Sequence, residues 1–106
     1  MKRTVLVIDD DKMILDMIQG ILEDKFEVSA VNDGQKAFRV LERIHPDVIL
    51  LDLKMPGMDG YDVISRLKVN QEYKGIPVIF LTSIQRQNDL KQERKTTSVN
   101  HLQRMH

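Results

Sequence analysis

Four short apolar runs, separated by segments of helical period, restrict this chain to a fold in which strand and helix alternate. The runs are Val5 to Ile8, Val28 to Val31 (with Ser29 and Ala30 inside it), Val48 to Leu51, and Val78 to Leu81. In the first intervening segment Met13, Ile14, Met17, Ile18, Ile21 and Leu22 recur at i, i+1, i+4 and i+5, which predicts one apolar stripe with Asp11 capping its start. The second, Gln35 to Ile44, is expected to bury Ala37, Phe38, Leu41 and Ile44, between Asn32-Asp33-Gly34 and His45-Pro46. The third, Tyr61 to Val69, offers Val63, Ile64 and Leu67. Alternation of this kind predicts an α/β fold, a doubly wound parallel sheet covered by helices on both faces.

Two of the runs end in acid. Val5-Leu-Val-Ile8 leads into Asp9-Asp10-Asp11, and Val48-Ile-Leu-Leu51 leads into Asp52, followed by Leu-Lys-Met-Pro-Gly-Met-Asp-Gly60. In doubly wound sheets sites form beyond the carboxyl ends of the strands, where strand order reverses, so Asp9, Asp10, Asp52 and Thr82 are expected to meet. Close carboxylates raise one another's pKa unless a cation joins them, and a hard, oxygen-seeking ion such as Mg²⁺ suits an all-oxygen donor set. Taken singly, acids at helix starts are ordinary caps, and Pro56-Gly57 and Asp59-Gly60 are turn formers that an inert protein would also carry.

From Met1 to about Ser83 the chain resembles the receiver domains of bacterial two-component response regulators. The resemblance rests on Val-Leu-Val-Ile-Asp9-Asp10-Asp11, on Asp52-Leu-Lys-Met-Pro-Gly-Met-Asp-Gly60, and on Pro77-Val-Ile-Phe-Leu-Thr82-Ser83. It implies a flavodoxin-like (βα)5 fold and phosphorelay signalling, with Asp52 the phosphoacceptor for a sensor histidine kinase, a phosphotransfer protein or a small donor such as acetyl phosphate. It also implies Mg²⁺ held by Asp10 directly, by Asp9 largely through water, by Asp52, and by the backbone carbonyl of Lys54. Thr82 then corresponds to the switch hydroxyl. Phosphoryl transfer suits these residue types, because it asks for an in-line nucleophile and for neutralised charge on the equatorial oxygens. The protein would be no enzyme beyond assisting its own phosphorylation and dephosphorylation.

After Ser83 the resemblance fails. Receivers carry a lysine followed by proline at the end of a fifth strand; residues 84–106 contain no Lys-Pro, no fifth apolar run and no fifth amphipathic helix. Residues 1–83 hold 11 Lys and Arg against 14 Asp and Glu, net −3, whereas residues 84–106 hold five against two, net +3. Permitted codons for Leu90 to His106, read one base earlier, give Phe-Glu-Ala-Gly-Ala-Glu-Asp-Tyr-Ile-Ser-Lys-Pro-Phe-Ala-Ala-Asn-Ala, which is similar to the missing family ending. The expectation is therefore a receiver core over residues 1–83 and an atypical tail over 84–106, from a change of frame between Ser83 and Asp89. A natural diverged tail with a polar helix from Gln85 to Lys95 is the competing account. Either way the ordinary fifth strand and helix are expected to be lacking and the Val78 to Leu81 strand to become an open sheet edge, inviting a homodimer or strand-swapped oligomer.

That loss sets a second functional reading beside the first: a non-switching interaction or assembly module derived from a receiver. A hydrolase of the haloacid dehalogenase type is more distant, since that family places Asp two positions after its nucleophile and this chain has Lys54. Composition narrows the classes further. Equal numbers of cationic and anionic side chains, 16 of each, leave no nucleic-acid footprint. The absence of Cys excludes disulfides and thiolate metal sites and agrees with a cytoplasmic protein. No signal peptide is expected from an amino-terminal run of four apolar residues that meets three aspartates, and no membrane partner. His45, His101 and His106 lack metal-ligand spacing, and the six Met residues are read as core or turn residues.

Overall fold

A computed structural model of the chain describes residues 2–55, 59–81 and, as backbone, 103–105. Strand β1 spans Arg3–Ile8, β2 Phe26–Val31, β3 Val48–Asp52, β4 Val78–Leu81 and β5 Gln103–Met105; helices α1, α2 and α3 span Lys12–Leu22, Gly34–Leu41 and Gly60–Val69. The sheet order is β2-β1-β3-β4-β5. The first four strands run parallel, with Val5 opposite both Val28 and Val48, and Asp52 opposite Leu81.

The central strands are rich in β-branched residues and are apolar on both faces, because both faces are covered. Val5, Val7, Leu50 and Leu81 pack against Leu15 and Ile18 of α1 on one side. Leu6, Ile8, Ile49 and Leu51 pack on the other against Ala37 and Leu41 of α2 and Val63, Ile64 and Leu67 of α3. Each helix begins at an aspartate whose side chain accepts from a backbone amide of the first turn: Asp11 from Met13 at 2.9 Å, Asp33 from Lys36 at 2.8 Å, and Asp59 from Asp62 at 3.1 Å. These caps satisfy amides that have no partner within the helix.

The apolar stripe expected along α1 is only partly covered: Leu15 and Ile18 are buried, Ile14 and Leu22 are half-buried, and Met13, Met17 and Ile21 are exposed. The helix is seated by the residues that reach the sheet, and the flank carrying the other three has no covering element among the described residues.

One expectation is corrected: the β4 strand is not an open edge, since β5 pairs with it antiparallel, Val78 facing Met105 and Phe80 facing Gln103. Among the described residues no fifth parallel strand occupies that place. Sheet pairing is main-chain chemistry and needs no apolar run, so a polar three-residue segment can fill the edge. The polar helix considered for Gln85 to Lys95 lies outside the described residues.

Candidate functional site

Strand order reverses between β2 and β3 about β1, so the carboxyl ends of β1 and β3 share one end of the sheet. Asp9 follows β1 and Asp52 is the last residue of β3. Both are almost wholly buried, at 2% and 1% exposure, while Asp10 is exposed. One carboxylate oxygen from each of Asp9, Asp10 and Asp52 lies within 4.8 Å of the others. The sequence-expected trio is thus assembled in space, across 42 positions of chain between Asp10 and Asp52.

Backbone amides hold the two buried acids in place. Asp9 Oδ1 accepts from the Asp11 amide at 2.9 Å, and Asp52 Oδ1 accepts from the Lys54 amide at 3.2 Å. The Asp9 amide in turn donates to the Val31 carbonyl at 3.2 Å, tying the acidic corner to β2. Burial above all pushes the Asp9 carboxyl up from 3.8 to about 7. The charges of Asp52 and Asp10 and a side-chain hydrogen bond with Asp52 act in the same direction, against the Asp11 amide. Two buried carboxylates side by side with an exposed third form a pocket of negative charge that a small hard cation would relieve, and every side-chain donor is oxygen.

Beyond Asp52, Leu53 is half-buried, Lys54 exposed and Met55 buried. Pro56 and Gly57, like Thr82 and Ser83, lie outside the described residues. The structure therefore unites Asp9, Asp10, Asp52 and the Lys54 backbone. Gly60, which belongs to the motif that follows Asp52 and has a plain reading as a turn former, takes part through its backbone, a contact that no sequence signal specifies. The Gly60 amide donates to the Leu53 carbonyl at 3.0 Å and closes the loop that begins at Asp52.

Residues 5–103 match the response regulator receiver domain family. The chain belongs to that family. Among its relatives, this receiver domain is 34% identical over 84 residues to the DNA-binding response regulator MtrA of Mycolicibacterium smegmatis, covering 78% of this chain and 36% of that protein. It thus spans about a third of the length of that relative. Among solved structures it superimposes on the chemotaxis protein CheY4 of Vibrio cholerae with a TM-score of 0.73 at 29% identity, covering 86% of this chain and 79% of that one. It also superimposes on the receiver domain of the sensor histidine kinase PA1611 of Pseudomonas aeruginosa, with a TM-score of 0.73 at 28% identity, covering 86% and 75%. That PA1611 structure has a magnesium ion coordinated in the active-site cleft. No helix among the described residues is long and apolar enough to cross a membrane.

Proposed function

We propose that this receiver domain takes part in phosphorelay signalling by accepting a phosphoryl group on Asp52 from a sensor histidine kinase or phosphotransfer protein, assisted by Mg²⁺. One observation carries the reading: Asp52 is buried at a strand end with oxygens of Asp9 and Asp10 within 4.8 Å. A carboxylate so placed is shielded from bulk water yet faces the acids that would hold a cation. The magnesium ion coordinated in the active-site cleft of the PA1611 receiver domain, a structural relative, supports Mg²⁺ as the cation here.

Asp10, Asp9, Asp52 and the Lys54 carbonyl would hold the ion, which supplies positive charge opposite the transferring phosphoryl oxygens. This chain's own residues do the rest. Asp52 offers its carboxylate oxygen as nucleophile, and the Lys54 amide at 3.2 Å orients that carboxylate. Asp9, held by the Asp11 amide at 2.9 Å, would act on the ion largely through water. Thr82, one residue beyond β4, is assigned as the hydroxyl that meets the new phosphoryl oxygens.

Intact mass after incubation with Mg²⁺ and acetyl phosphate tests this. The parent chain should gain a labile phosphoryl adduct that Asp52→Asn does not. A folded parent without an adduct would remove Asp52 from the role.

A further inference from the structure

Gly60 opens α3 with its backbone pressed against the strand end that carries Asp52. A Cβ at this position would lie 2.5 Å from the Asp52 carbonyl oxygen, 2.5 Å from the Leu53 Cα and 3.1 Å from the Leu53 carbonyl carbon. Those are backbone atoms at the end of a buried strand, so they cannot swing aside as the tip of a flexible side chain would. The Gly60 backbone lies outside the left-handed region, so the position demands space and not glycine's conformational freedom. Gly20 and Gly75 differ: a Cβ there meets nothing within 4 Å.

We infer that Gly60 is a positioning residue for the acidic site: its missing side chain lets the first turn of α3 seat directly on Asp52 and Leu53, and this contact sets where the Asp52 carboxylate and the Lys54 backbone stand relative to Asp9 and Asp10. The linkage is short. Gly60 touches Asp52 and Leu53 and hydrogen-bonds the Leu53 carbonyl at 3.0 Å, while the Lys54 amide bonds the Asp52 carboxylate at 3.2 Å. A side chain at position 60 must push α3 away from Leu53 or push Leu53 away from α3. Either movement displaces both elements on which a cation and a phosphoryl group would depend. The inference rests on the proposed role of Asp52, and its test reads metal binding separately from phosphorylation.

Gly60→Ala is compared in the full chain with Gly20→Ala and with Leu41→Ala, a core truncation in α2 chosen as a destabilised control. Each is measured for urea stability, for Mg²⁺ affinity by titration calorimetry, and for the initial rate of adduct formation with acetyl phosphate. Folded Gly60→Ala should lose roughly tenfold or more in both Mg²⁺ affinity and rate, as small misplacements of reacting groups do. The two controls should stay within about twofold once folded. Parent-like Mg²⁺ affinity and rate in folded Gly60→Ala, or an equal loss in Leu41→Ala, would overturn the inference.

If Gly60→Ala does not fold, amide resonances of the parent decide. Those of Gly60 and Leu53 should shift on addition of Mg²⁺, and a shift at Asp10 with none at Gly60 would overturn it. A parent that binds Mg²⁺ but takes no phosphoryl group defeats the role of Asp52 alone, and the Mg²⁺ measurements still decide on Gly60.

Discussion

Asp9 and Asp52 stand side by side at the ends of adjacent parallel strands, each at most 2% exposed, with carboxylate oxygens within 4.8 Å of one another. Holding two acids this close away from water is unfavourable unless one keeps a proton or a cation lies between them. The fold accepts this arrangement because the strand register and the Asp11 and Lys54 amides fix it.

The raised Asp9 pKa makes ion-free stability depend on pH. Asp9 moves from 3.8 in the unfolded chain to about 7 in the folded one, so its contribution is fully present below 3.8 and is lost as the pH rises through about 7. Between those values the folded chain holds a proton that the unfolded chain has released. Mg²⁺ competes with that proton, so its stabilising effect should be larger near about pH 8 than near about pH 6. Urea melts at both values, with and without Mg²⁺, check this. Asp9→Asn should flatten the pH dependence and remove most of the Mg²⁺ effect, since an amide oxygen can still accept from Asp11 but carries no charge.

The two flanks of α1 should respond unequally to substitution. Leu15→Ala empties a buried site against the sheet and should cost about 2–5 kcal/mol. Met13→Gln and Met17→Gln change side chains that are 79% and 43% exposed, and should alter stability by less than about 0.5 kcal/mol each. Denaturant midpoints of the three variants are sufficient. Equal losses would mean that the Met13 and Met17 flank is covered in solution.

Caps contribute measurably because their acceptors replace missing helical partners. Asp33→Ala and Asp59→Ala should each destabilise by about 1 kcal/mol. Asp59→Ala should also slow phosphorylation more than Asp33→Ala, since Asp59 anchors the turn of α3 that rests on Leu53. Melts and adduct rates measured in parallel separate the two effects.

The antiparallel β5 strand protects the β4 edge, so its removal should be visible in solution. A chain ending before Gln103 would leave Val78 to Phe80 with unpaired backbone groups on one side. Such edges recruit other chains. Light scattering should show concentration-dependent assembly of the shortened chain beyond any shown by the parent.

Much of this was legible in the residues themselves. The alternation of apolar runs with helical spacing placed four parallel strands and three helices, and Val63, Ile64 and Leu67 face the core as their spacing requires. The acids at the ends of β1 and β3 were readable because strand ends in doubly wound sheets converge, which links sequence position to spatial position without coordinates. Helix limits were less legible. The spacing from Gln35 to Ile44 predicts one helix, yet α2 ends at Leu41, because apolar spacing can run on through a turn in which the helical backbone stops.

The sequence by itself determined the parallel α/β class and the acidic strand ends, since both follow from local pattern and chain order. Only the tertiary structure decided which apolar side chains of α1 reach the sheet, because helical period leaves the width and tilt of the buried face open. Only it showed that a polar segment pairs with β4, because backbone hydrogen bonding leaves no mark in side-chain pattern. And only it distinguished Gly60 from Gly20 and Gly75, because what a glycine excludes is set by atoms brought against it from elsewhere in the chain.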